Sequence, residues 1–265
     1  MIGIFSIQLR AIFSKKNVFI LVCILFIISI IQAMEFKHLL NAYNLKGNSL
    51  DYITYNLGGW GSQSIISYTI KWMLLGLIYI YISIVVSKST DEINIFVLNR
   101  SNNRFKVWVV NFLSQISLTI ILTLILFFIS YIISIVLFKN EWSYSEYFFV
   151  KYRHWVDVGF STKSILELIF IVFFSGMLSL QMIIQYILIV QEKNTIFIGF
   201  IMGFIMLSIG YVFGVVPRIF SPFFYSCTMI LNPNYIVLKD AIIMNVIISM
   251  ISFIFGIYKF KLKNI

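Results

Sequence analysis

Residues 107–138 read VWVVNFLSQISLTIILTLILFFISYIISIVLF, a run without one charged side chain. A helix of roughly 20 apolar residues crosses a hydrocarbon core about 30 Å thick. This run exceeds that need, so a helix built from it tilts or projects beyond the bilayer. Its apolar residues fill the whole run instead of forming one helical stripe, which is how a spanning segment differs from a surface helix.

The rest of the chain has the same character. Of its 265 residues 60% are hydrophobic and only 11% charged, and the mean hydropathy is +0.96. A soluble domain is near half apolar and about a quarter charged, so much of this surface needs lipid as its solvent. The expected fold is all-α, a polytopic membrane protein forming a single transmembrane domain over 1–265. Its six transmembrane helices are expected at about 18–34, 65–87, 107–138, 164–190, 195–216 and 240–258.

The segments between are as informative. Residues 1–17 place Ile4, Ile7, Ile12 and Phe13 against Gln8, Arg10, Lys15 and Lys16, the pattern of a helix lying in the membrane interface. A cleaved signal peptide is disfavoured, because the basic region is long and no clear small-x-small site follows. Residues 35–64 read as a polar loop, and 139–163 as a second loop rich in aromatics, with Trp142, Tyr144, Tyr147, Phe148 and Trp155. Gln191-Glu192-Lys193-Asn194 is short enough to make the flanking spans an antiparallel hairpin. Pro217, Pro222 and Pro233 break the apolar stretch 217–239 into what reads as short re-entrant or interfacial helices on the outer side.

Charge sets the orientation. Arg10, Lys15, Lys16, Lys88, Arg100, Arg104, Lys106, Lys193, Lys259, Lys261 and Lys263 all fall on one side of the six-span scheme, and every segment on that side contributes. The positive-inside rule makes that side cytoplasmic, with both termini inside a cell membrane. The net charge of +10 is then read as attraction to anionic headgroups, not to nucleic acid.

Catalytic signals are weak. His38 and His154 are the only histidines, both in loops, and the chain holds neither an HExxH motif nor a GxxxxGK[ST] phosphate loop. Cys23 and Cys227 set up neither a disulfide framework nor a metal site. The chain is therefore expected to be non-catalytic and to hold no cofactor of its own. Glu167, near the outer end of the fourth span, has Lys163 four residues earlier as its natural partner.

Uncharged polar residues are the notable content of the spans. Gln115 lies in the third, Gln181 and Gln185 one turn apart in the fourth, and Asn245 in the sixth. Such residues serve helix–helix hydrogen bonding, and they also suit the polar lining of a translocation route. The first use is the commoner for any single residue.

Residues 89–104 carry the sharpest local signal. Ser89-Thr90-Asp91-Glu92 is a capping box. Asp91 and Glu92 sit where a helix dipole prefers acids, Arg100 and Arg104 where it prefers bases. Between them Ile93, Phe96 and Val97 share one face. The expected short helix either lies flat on the membrane or docks a cytoplasmic partner.

In this loop and in its whole topology the chain resembles the membrane subunit of a type-2 ABC exporter. That family's coupling helix runs acid, apolar residues, Arg, small or polar residues, Arg, next span. The counterpart is Asp91-Glu92…Val97-Leu98-Asn99-Arg100-Ser101-Asn102-Asn103-Arg104-Phe105, without the usual glycine or proline near the basic pair. The resemblance implies docking of Asp91, Glu92, Ile93, Phe96, Val97, Arg100 and Arg104 on a separate ATPase subunit, which would hold ATP and Mg. It also implies a second membrane subunit, identical or different, and a surrounding of membrane lipids. Small members resemble exporters of amphipathic peptides, including lantibiotic-immunity and cytolytic-peptide exporters. The competing expectation is a non-transporting membrane sensor or assembly factor.

Overall fold

The computed structural model describes residues 14–58, 104–190 and 235–262, together with the isolated helical positions 6, 10, 74, 75, 77, 78, 81, 203 and 206. Seven helices lie within the continuous stretches: α1 Lys15–Ala42, α2 Ser49–Leu57, α3 Arg104–Leu137, α4 Glu146–Lys151, α5 Arg153–Asp157, α6 Thr162–Val190 and α7 Tyr235–Leu262. Among the described residues there is no strand, and an isolated parallel bridge joins Asn48 to Lys139.

Four segments are long and apolar enough to cross a membrane: Val18–Ala42, Phe105–Leu137, Thr162–Ile187 and Lys239–Tyr258. They match the first, third, fourth and sixth expected spans, and the helices that hold them run longer than the sequence suggested at one or both ends. At 1.5 Å per residue the 34 residues of α3 reach about 51 Å, well past a 30 Å hydrocarbon core. The second and fifth expected spans fall mainly outside the described residues. The re-entrant stretch 217–239 does so up to Tyr235, where α7 begins.

The packing is the inverse of a soluble protein's. On α7 the residues turned inward include Asn245, Ser249 and Ser252, while Ile243, Val246, Met250 and Ile254 are exposed. On α3, Ser114, Gln115, Thr119, Thr123, Ser130 and Ser134 are buried with Leu118, Leu122 and Leu126, while Leu113, Leu124, Phe128 and Val136 face outward. Exposed apolar surface on this scale marks contact with lipid or protein, not water. The bundle is assembled mainly by α6 against α7, with α3 touching α1, α2, α6 and α7.

Of the stretch expected as a polar loop, 35–64, the described residues 35–58 are largely helical. Helix α1 continues through Ala42, because Phe36 and Leu40 extend its buried stripe from Leu21, Leu25, Ile28 and Ala33. After a turn in which Asn44 has a positive φ of 52°, α2 forms and all nine of its residues are buried. It packs between α1, α3 and α6. A short buried helix is tolerable at this depth only if its end groups are satisfied. The Asn48 side chain accepts from Asp51 N at 3.2 Å, and Asp51 Oδ2 accepts from Asn48 N at 2.7 Å, which closes a capping box. At the other end Gly58 N donates to Thr54 O at 2.8 Å.

Side chains then tie α2 to its neighbours. Tyr52 donates its hydroxyl to the Ser29 carbonyl of α1 at 2.7 Å. Asn56 Nδ2 donates to Ser130 Oγ of α3 at 2.9 Å, and Ser49 Oγ donates to the Ser134 carbonyl at 3.0 Å. Around this helix, at the end of the bundle that carries 138–161, an aromatic cap closes. Phe36 lies 4.9 Å from Tyr55 and meets Tyr147 edge-on at 5.0 Å, while Tyr52 stacks on Phe138 at 5.1 Å. Helices α4 and α5 add Phe148 and Trp155, and Tyr152 between them joins the cap; all three are buried.

Candidate functional site

Two features of the bundle have the chemistry of a site. The first is a polar seam inside the long helices. Gln181 of α6 donates through Nε2 to Oε1 of Gln115 on α3. Earlier on α6, Ser175 accepts from Asn245 Nδ2 of α7 at 3.0 Å, and Ser179 donates to Asn245 Oδ1 at 3.3 Å. Three helices are thus cross-linked by amides and hydroxyls in a region with little competing water. Gln185 is buried one turn beyond Gln181, and its Oε1 has no hydrogen-bond partner among the described residues. Among those residues the four long helices bury Ser, Thr, Asn and Gln but no Asp, Glu, Lys or Arg.

Gln115, Gln181 and Asn245 therefore sit in helix–helix contacts, hydrogen-bonded across them, which is the commoner use of such residues. Asp91, Glu92, Ile93, Phe96, Val97 and Arg100 lie outside the described residues. Arg104 opens α3.

The second feature is a cleft of about 1040 Å³ between α3 and α6, with Ile53 of α2 in its wall. Its lining surface is almost wholly apolar. Tyr131, Trp142 and Glu167 stand near the capped end, because Tyr131 is close to the C-terminus of α3 and Glu167 is five positions from the start of α6. Leu124, Phe127, Phe128, Phe170 and Ile171 lie one to two turns further from that end, and all are apolar. Tyr131 stacks on Trp142 at 5.5 Å, and Phe127 meets Phe170 edge-on at 5.0 Å. Glu167 pairs loosely with Lys163 at 3.9 Å, the partner expected from the sequence, and both side chains are exposed.

None of Gln115, Gln181, Gln185 and Asn245 lines this cleft. Sequence reasoning placed Trp142 among aromatics of a loop and Glu167 at a helix end, but it had no signal that α3 and α6 part here. Of the other loop aromatics, Tyr147, Phe148 and Trp155 are buried in the cap. Among the described residues no cluster of His, Cys, Asp and Glu is placed to hold a metal ion.

Among the described residues, four ionisable groups outside the spans are perturbed, and burial raises two of them, Tyr52 and Tyr144. Burial pushes the Asp51 carboxyl up to about 7, against the lowering effects of the Ser145 hydroxyl and the Asn48 backbone N–H. Partial burial lowers His154, with Asp157 opposing.

No protein-family model matches this chain, nor does any curated protein compared by sequence or any solved structure compared by fold. The geometry itself defines, among the described residues, an all-helical membrane protein with four long apolar helices, an uncharged polar seam and an apolar cleft.

Proposed function

We propose that the chain is the permease subunit of an ATP-binding-cassette exporter, spanning the cell membrane six times with both termini cytoplasmic. It moves amphipathic peptides, or similarly lipid-like molecules, outward. A separate ATPase subunit binds ATP and Mg, and a second membrane subunit completes the transporter. The observation that carries this reading is the capped apolar stretch 89–104, acidic at its start and basic at its end, between spans of a chain without a phosphate-binding loop. The uncharged seam adds support, because a bundle driven by an external motor has no need of proton-carrying groups inside it.

Purification of the chain with its ATPase tests the reading. Phe96→Asp and Val97→Asp should each abolish the association and ATP-dependent export while leaving the membrane subunit folded. An intact complex and intact export in both variants would overturn the docking role. The competing reading, a non-transporting sensor or assembly factor, is favoured by one observation: the amides of Gln115, Gln181 and Asn245 are spent on other helices. It predicts that no ATPase co-purifies.

A further inference from the structure

We propose that a buried water molecule joins α3 to α6 inside the polar seam, held between the Gln115 and Gln185 side chains. Gln115 Nε2 and Gln185 Oε1 are both buried without a hydrogen-bond partner among the described residues. They belong to residues that are 0% and 8% exposed, so bulk solvent does not serve them. One atom is a donor and the other an acceptor. Stranding such atoms is costly, and native structures satisfy them with protein groups or with ordered water.

Helix direction turns the two side chains toward each other. Phe127 meets Phe170, and about three turns along Gln115 meets Gln181, so α3 and α6 run antiparallel in a steady register. In that register the buried Asn111 falls opposite Gln185. Helical side chains lean toward the N-terminus of their own helix. Gln115 therefore leans toward the level of Gln185, and Gln185 toward the level of Gln115. The two levels are one turn, about 6 Å, apart. Two hydrogen bonds of about 2.8 Å at one water oxygen join heavy atoms about 4.5 Å apart, a gap within reach of the leaning side chains.

Chemistry selects the occupant. Gln115 Nε2 donates to the water oxygen, and the water donates to Gln185 Oε1. A cation is repelled by the N–H and an anion by the C=O, while an apolar group leaves both stranded. Turning the Gln115 amide over is no remedy, because it sets N–H against the N–H of Gln181. The amides of Asn111 and Gln181 lie in the same two turns, so the water sits among polar groups, as buried waters do. The assignment goes beyond the exporter reading and does not depend on it.

The full chain, isotope-labelled at glutamine and leucine, is reconstituted in deuterated lipid. Magnetisation transfer from water to its amides is followed by magic-angle-spinning NMR, with single Gln→Met variants assigning the side-chain signals. The Gln115 side-chain amide should build up several-fold faster than the backbone amide of Leu118, which is fully buried one turn along the same helix. In Gln185→Met, which keeps the side chain's length and removes the acceptor, the Gln115 rate should fall toward that of Leu118. A parent Gln115 amide as slow as Leu118 would show a dry seam and overturn the site, whatever the variant does. A fast Gln115 amide left unchanged in a folded Gln185→Met would overturn the bridge to α6.

Discussion

Gln181 Nε2 on α6 donates to Gln115 Oε1 on α3, and both side chains are buried in the bundle. Two buried amides joined by a hydrogen bond cost less to remove together than the sum of removing each alone, because removing one strands the bonded atom of the other. Gln115→Leu and Gln181→Leu should each lower stability by about 1–3 kcal/mol. The double variant should lose less than the sum of the two. The coupling should fall near 0.6 kcal/mol and not exceed about 1.7, the range of side-chain hydrogen bonds within membranes. Equilibrium unfolding in mixed micelles measures it, and strict additivity would show that the bond contributes nothing.

The four long helices were legible in the sequence because length and unbroken apolarity decide a span without any knowledge of packing. Helix α2 was not, although its capping residues were visible. Glu35, Lys37, Lys46 and Asp51 made the stretch look solvated, whereas tertiary contacts bury α2 and supply partners such as Ser130 to Asn56. The seam was legible as composition: Gln115, Gln181 and Asn245 stood out as amides in apolar runs. Which of them meet was not, because that depends on the rotation of α3 and α7 against α6. The cleft was legible least of all, since its wall is shared by α3, α6 and Ile53 of α2, and spacing along one helix does not encode a gap between several.

Asp51 makes the fold sensitive to pH. Its carboxyl titrates near 7 in the folded chain against an ordinary value of 3.8. Between those values the folded state holds a proton that the unfolded state has lost, so stability falls as pH rises from about 4 to about 7 and is flat above. A shift of about three units is worth at most about 4 kcal/mol. Asp51→Asn keeps an acceptor for the Asn48 N–H and removes the charge. It should therefore be more stable than the parent at pH 8 and equal to it below pH 4. His154 acts in the opposite sense, since its lowered value costs stability as pH falls through the ordinary 6.5. It is common to both proteins, so the difference between their melting temperatures across a pH series isolates Asp51.

At the other end of the bundle α3 and α7 approach over a glycine. A methyl group on Gly256 would lie within 2.6 Å of a carbon of the buried Trp108 ring. Trp108 is held there by donating Nε1 to the Phe253 carbonyl at 3.2 Å, so the ring cannot simply swing aside. Gly256→Ala should cost about 1–3 kcal/mol by overpacking. Trp108→Phe frees space, so the double variant should regain part of that loss. Melting of the two single variants and the double variant in detergent measures the coupling, and a tolerated Gly256→Ala would show that the helices separate more easily than the contact implies.

Phe36 joins α1 to the cap. It touches Tyr52, Tyr55, Phe138 and Tyr147, with centroids 4.9 to 6.2 Å away, so one side chain of α1 holds residues from α2, from the end of α3 and from α4. Phe36→Ala empties the middle of that cluster and should cost about 3–5 kcal/mol, while Phe36→Leu keeps most of the volume and should cost clearly less. Because Phe36 packs on Tyr52, the residue next to Asp51 in α2, Phe36→Ala should also admit water to the capping box. The Asp51 carboxyl then returns toward its ordinary value, and the fall in stability between pH 4 and 7 shrinks along with the stability itself. Comparing the pH series of Phe36→Ala and Phe36→Leu separates this from a uniform loss. An unchanged slope in Phe36→Ala would show that α2 keeps Asp51 dry without help from α1.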